Sequence, residues 1–144
     1  MFAKKPDRIP SIMAVMTPFP WFIHIEDELE RARQVMAEHG IRHLPVTREG
    51  ELVGVLGDRD VALLESRSDV PPSIRDACVL DAYVVDVTEP LDRVLSTMAE
   101  RHLDATLVVR NHKLAGIFTA SDACRAFAEF LRLIFPPGGT DEAA

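Results

Sequence analysis

Two aspartates occupy the same place in two copies of one short motif. Gly54-Val55-Leu56-Gly57-Asp58-Arg59-Asp60 returns 62 residues later as Gly116-Ile117-Phe118-Thr119-Ala120-Ser121-Asp122. Each copy reads as a strand that passes through a glycine and turns into a helix. That geometry puts the acid in the first helical turn, where backbone N–H groups are free and the helix dipole favours anions. An ionised carboxylate there can accept two hydrogen bonds from a vicinal diol, the chemistry a ribose presents. The Thr119 hydroxyl is placed to reach a sugar or phosphate oxygen. A second reading uses the same residues, because Thr119-x-x-Asp122 is also a capping box in which hydroxyl and acid satisfy each other's backbone. In the first copy Gly57 replaces the hydroxyl and Asp60 remains, so that acid is kept without its capping partner. Glycine at 54 and 116 permits close approach by another element or a ligand, since no Cβ intrudes.

The elements that must position these groups repeat as well. The 62-residue register pairs Ile12 with Ile74, Leu29 with Leu91, Met36 with Met98, Val46 with Val108 and Leu52 with Leu114. The first unit predicts a strand over Trp21-Phe22-Ile23-His24-Ile25. A helix follows with Leu29, Ala32, Val35 and Met36 on one face and Gly40 as its C′ stop, then a hairpin around Arg48-Glu49-Gly50 and a helix from Asp58. The second unit predicts a strand over Tyr83–Val87, a helix capped by Thr88 with Pro90 in its first turn, a hairpin over residues 105–118 and a helix from Ala120 to Phe135. The expected fold is α+β, two β-α-β-β-α repeats packed with pseudo-twofold symmetry. The domain reading is an N-terminal arm at 1–11, repeats at 12–67 and 74–135, a Pro-containing linker at 68–73 and a disordered tail at 136–144. Units this small bury too little surface alone, so they should pack face to face with two related clefts between them. The last helix carries Phe127, Phe130, Leu131, Leu133, Ile134 and Phe135 around most of its circumference, which predicts a subunit interface.

Composition narrows the classes of function. A formal charge of −7 argues against nucleic-acid binding, which needs a surplus of Lys and Arg against phosphates. No apolar run approaches a membrane span, and no signal-peptide core follows Lys4-Lys5-Pro6-Asp7-Arg8, so a cytoplasmic protein is expected. Cys78 and Cys124 lack metal-ligand spacing and read as reduced structural thiols. His39 and His43 are four apart, but Gly40 should end the helix between them, so no metal site is expected. No Ser/His/Asp arrangement or phosphate-binding glycine loop is visible, which leaves an enzyme without catalytic residues.

Ile12 to Pro18 reads I-x-x-V-M-T-P, Ile41-Arg42-His43-Leu44-Pro45-Val46 opens the first hairpin, and G-h-h-T-x-x-D precedes the last helix. In this order, spacing and duplication the chain closely resembles a tandem pair of cystathionine-β-synthase (CBS) domains. The resemblance implies a regulatory, non-catalytic module whose clefts bind adenosine-containing ligands such as AMP, ADP, ATP or S-adenosylmethionine. It also implies a homodimer and signalling to a regulated protein partner. Carried over by position, Asp60 and Asp122 match the ribose-binding acid and Thr119 the hydroxyl beside it. His43, with Arg42 next to it, matches a basic position that faces phosphate. Phe22 and Val84 lie in segments that hold adenine. The second unit departs from the first, carrying Asp104-Ala105 where Arg42-His43 stands, so the clefts should not be equivalent. The alternative is a structural or partner-binding module with empty clefts.

Overall fold

The computed structural model describes residues 2–135; the tail expected at 136–144 lies outside them. A 3-10 turn at Ile12–Ala14 leads to β1 (Thr17–Pro18), β2 (Ile23–His24), α1 (Leu29–His39), β3 (His43–Arg48), β4 (Glu51–Gly57) and α2 (Asp58–Arg67). The second half runs through α3 (Ile74–Ala77), β5 (Val84–Asp86), α4 (Leu91–Arg101), β6 (Ala105–Arg110), β7 (Lys113–Thr119) and α5 (Ala120–Ile134). The two halves repeat each other down to their irregularities. β2 pairs parallel with β3 through Ile23 and Val46, and β5 pairs parallel with β6 through Val85 and Val108. Each hairpin carries a bulge at the same point, Val46/Thr47 and Val108/Val109. Both first helices end on a left-handed residue, Gly40 (φ 61°) and His102 (φ 53°), a conformation that glycine adopts without strain.

The entry segments are exchanged between the halves. β1 pairs antiparallel with β7, Thr17 against Ile117 and Pro18 against Gly116, so a strand of the first sequence unit closes the second unit's sheet in the order β1-β7-β6-β5. The reciprocal step is the Val55–Val79 bridge, with N–H···O distances of 3.1 and 2.8 Å, which brings the chain after α3 onto β4 of the other sheet, β2-β3-β4. The cores follow the exchange. Ile12 and Val15 are buried with Val94, Met98, Val108 and Phe118. Ile74 and Ala77 are buried with Ile23, Leu44, Val46 and Leu56.

Each crossing is tight enough to require glycine. A Cβ on Gly116 would stand 2.5 Å from Met16 Sδ and 3.0 Å from the Thr17 carbonyl oxygen. One on Gly54 would meet Cys78 Sγ at 2.7 Å and the Val79 carbonyl oxygen closer still. The close approach anticipated beside these glycines is made by another element, the exchanged segments.

One capping expectation fails. α4 starts at Leu91 with Pro90 at its N-cap and no side-chain cap bond, so Pro90 precedes the first turn. Thr88 instead donates from its N–H and hydroxyl to Asp86 Oδ2 at 3.0 and 2.6 Å. A carboxylate two residues away outcompetes the more distant helix N–H groups, and these bonds hold the Asp86 carboxyl below the usual range. The strands at 21–25 and 83–87 are also shorter than expected, Ile23–His24 and Val84–Asp86, although Ile25 and Val87 N–H still donate to the Thr47 and Val109 carbonyls at 2.8 and 3.0 Å. The linker gives way at Ser73 to α3, which opens with a Ser73–Asp76 capping box.

The arm has no helix or strand over residues 2–10. It is nonetheless fixed to the second half, because Leu91 N–H donates to the Pro10 carbonyl at 2.9 Å and Phe2 packs against that core. Among the described residues no helix is long and apolar enough to cross a membrane.

Substituting Gly54→Ala should cost about 2–3 kcal/mol in urea unfolding, because the obstacle is backbone. Gly116→Ala should cost less, since the nearest obstacle is the flexible Met16 side chain. Equal, near-zero costs would show that the crossings are loose. Burial pushes the half-buried Cys78 thiol up to about 11, whereas Cys124 is exposed. In native protein at pH 8 a thiol-specific disulfide reagent should therefore modify Cys124 and reach Cys78 only on unfolding.

Candidate functional site

The exchange sets the starts of α2 and α5 beside each other. Asp58 N–H donates to the Arg42 carbonyl at 3.0 Å, and by the repeat Ala120 N–H donates to the Asp104 carbonyl at 2.9 Å. Each bond ties the loop before a hairpin to the N-terminus of the helix after it. A cleft of about 340 Å³ opens where the two arrangements meet, and Arg42, His43, Asp58, Arg59, Asp60 and Asp104 supply its charged lining, with Ala120 and Ser121 contributed by α5.

Three of the site residues expected from sequence meet in this cleft: Arg42, His43 and Asp60. Asp60 is exposed, leans back over Gly57 with Oδ2 3.0 Å from where a Cβ would be, and makes no hydrogen bond or ion pair to any described residue. Its carboxylate is available to a ligand. Asp122 is engaged. It accepts from Thr119 N–H at 2.9 Å, Thr119 Oγ1 accepts from Asp122 N–H at 3.2 Å, and Arg125 holds the other carboxylate oxygen at 3.0 Å. The capping box read as one alternative is thus formed in the second unit, and Gly57 removes it in the first.

Phe22 and Val84 occupy equivalent places on the two sheets. Phe22 precedes β2, half exposed, with its ring edge-on to His24 at 5.6 Å between centroids, and Val84 opens β5, also exposed. Neither lines the charged cleft, nor do Thr119 and Asp122. The histidine pair is split. His39 stacks on Trp21 with ring centroids 3.8 Å apart while His43 sits in β3. Among the described residues no group of three His, Cys, Asp or Glu side chains is placed to hold a metal. Asp58, Arg59 and Asp104 were not among the expected site residues. Their signal was available, since the 62-residue register aligns them with Ala120, Ser121 and Arg42 across the same cleft.

Two halves of matching register, exchanged entry strands and a shared cleft at paired helix starts define the architecture, and the CBS-domain profile matches it at residues 12–66 and 74–129. The chain belongs to the CBS domain family. It carries the two domains in tandem, as an α+β fold in which each repeat forms a small mixed sheet with helices. Hypoxic response protein 1 of Mycobacterium tuberculosis is 30% identical over 120 residues, covering 77% of this chain and 84% of that protein. The CBS domain pair of protein MJ0100, solved with 5′-methylthioadenosine and S-adenosyl-L-methionine, superposes with a TM-score of 0.74 at 25% identity, over 81% of this chain and 98% of that one. CBSX2, solved with AMP, superposes with a TM-score of 0.76 at 22% identity, over 85% and 99% of the two chains.

Thr119→Ala should destabilise the protein by about 1 kcal/mol through loss of the cap. Chemical denaturation checks this value, and an unchanged midpoint would remove the cap from the account of why Asp122 is where it is.

Proposed function

We propose that this CBS pair senses an adenosine-containing ligand, among AMP, ADP, ATP and S-adenosylmethionine, and is regulatory rather than catalytic. The observation that carries the reading is the free Asp60 carboxylate in one cleft with Arg42 and His43. A buried or paired acid would already be committed to the fold, whereas this one retains its acceptor capacity for the two ribose hydroxyls. The Arg42 guanidinium beside it suits a phosphate or a carboxylate on the same ligand, with His43 as a second hydrogen-bonding group. That the MJ0100 pair holds adenosyl compounds and CBSX2 holds AMP supports the ligand class.

Asp122 and Thr119 serve in this reading as the sugar-binding pair of the second cleft. Ligand binding there competes with the cap and with Arg125, so the second cleft is the weaker. In the same reading Phe22 and Val84 belong to the segments that would hold adenine, outside the charged lining itself. Ligand occupancy acts by favouring one arrangement of the two halves over another. The output surface is α5, whose Phe127, Leu131, Ile134 and Phe135 are exposed while Ala126 is its sole buried residue. A homodimer, or a protein partner regulated by the pair, covers that face.

Saturating ligand at a hundred times its dissociation constant should stabilise the protein by about 2.7 kcal/mol, a melting shift of about 5–10 °C. Asp60→Ala should then weaken calorimetric binding roughly ten- to a hundredfold. If none of AMP, ADP, ATP, 5′-methylthioadenosine and S-adenosylmethionine moves the melting temperature, the chain is a scaffold whose acids serve the helices, as the capping box at Thr119 already does.

A further inference from the structure

The cleft holds a charge inversion between positions that the fold makes equivalent. Arg42 and Asp104 share one place in the 62-residue register, and each has its carbonyl bonded to the first N–H of the helix after its own hairpin, so both side chains start from matched backbone positions on the two halves. Both are exposed, both line the cleft, and no hydrogen bond or ion pair joins them to each other or to any described residue. The first half therefore brings Arg42, Arg59 and His43 to the cleft, and the second half brings Asp104 where the repeat places Arg42. Asp58 and Asp60 add two more carboxylates. Against two arginines, three aspartates leave the lining at −1 with His43 neutral. The two helix starts return about +0.5 each, so the site is close to neutral and carries both signs of charge.

From this we infer, building on the adenosyl reading above, that the cleft selects for an adenosyl ligand bearing both signs of charge. The class is an adenosyl sulfonium with an amino-acid zwitterion, as in S-adenosylmethionine, in preference to a nucleoside polyphosphate. A triphosphate brings about four negative charges to a lining that has no net positive charge to receive them, and Asp104 stands where the repeat would otherwise supply a counterpart of Arg42. A zwitterionic tail matches the lining at both ends, with its carboxylate toward Arg42 and its cation toward Asp104. Asp104 is the residue that sets this selectivity. The discrimination is electrostatic at an exposed site, so it weakens as salt shortens the screening length to about 8 Å near 0.15 M.

Calorimetric titration of the full chain at low salt with S-adenosylmethionine, 5′-methylthioadenosine, AMP and ATP tests the assignment. S-adenosylmethionine should bind at least tenfold more tightly than ATP, and also more tightly than 5′-methylthioadenosine, which lacks the charged tail. Asp104→Arg should shift the ratio of the two affinities by at least tenfold toward ATP. Circular dichroism should show an unchanged fold, because the bond to Ala120 uses only the Asp104 backbone; should that variant not fold, Asp104→Asn should shift the ratio the same way by a smaller factor. ATP binding as tightly as S-adenosylmethionine to the wild-type chain, or a ratio indifferent to residue 104 in a folded variant, overturns the selectivity and leaves the sensor reading standing. Failure of all four compounds to bind overturns both.

Discussion

Two backbone crossings hold the molecule together, and each depends on the absence of a methyl group. At Gly116 the strand β7 passes against Met16 and Thr17, and at Gly54 the strand β4 passes against Cys78 and Val79. Each crossing lets a segment belonging to one sequence unit complete the sheet and core of the other. Neither unit buries a full core alone, because Ile12 and Val15 fill the second core and Ile74 and Ala77 the first. A single cooperative domain follows from this exchange, since separating the halves would strip both cores at once. The two sheets are also held at a fixed mutual position, which independent units joined by a linker would lack.

That fixed position creates the cleft. Because β4 and β7 lead directly into α2 and α5, locking the two strands near each other locks the two helix starts near each other. The bonds from Asp58 to Arg42 and from Ala120 to Asp104 then bring the pre-hairpin loops to the same rim. Arg42, His43 and Asp60 converge because the strands converge, without any bond among the three side chains. Rigid strands behind a set of exposed, unpaired charges describe a surface that waits for counter-charges from outside, and this separates the cleft from the ion pairs elsewhere. Arg75 with Glu26, for example, is an exposed pair already closed on itself.

Much of this could be read from the residues. The 62-residue register, the apolar stripes of α1 and α4, and the glycine stop at Gly40 define the repeat and most element positions. The exchange was not legible, because β1 is two residues long and the Val55–Val79 contact is a single bridge, and neither produces a periodic pattern. α3 spans four residues, too few for a helical stripe. Thr88 shows a different limit. Its position before Pro90 fits a cap, yet Asp86 is nearer and charged, and local competition of that kind is settled by distance. For the site, each charge could be listed from the sequence. Their meeting in one cavity depended on how the halves face each other, which is tertiary.

The two copies have diverged at the point where one carboxylate can serve either the helix or a ligand. An N3 acid that accepts from its own N-cap N–H and from an arginine has little acceptor capacity left, and Asp122 is in that state. α5 has reason to keep it there. The helix runs 15 residues with Ala126 as its one buried residue and Ala123 packed onto the core, and the cap fixes its start. α2 is 10 residues long and also buries one residue, Val61, but it is in addition braced by α3 alongside. Its N-terminus tolerates Gly57 in place of a capping hydroxyl, and Asp60 makes no bond to the Gly57 N–H that corresponds to the one Asp122 accepts from. The two acids thus differ in role: one holds a helix whose outer face is apolar and exposed, and the other stays open toward the cleft.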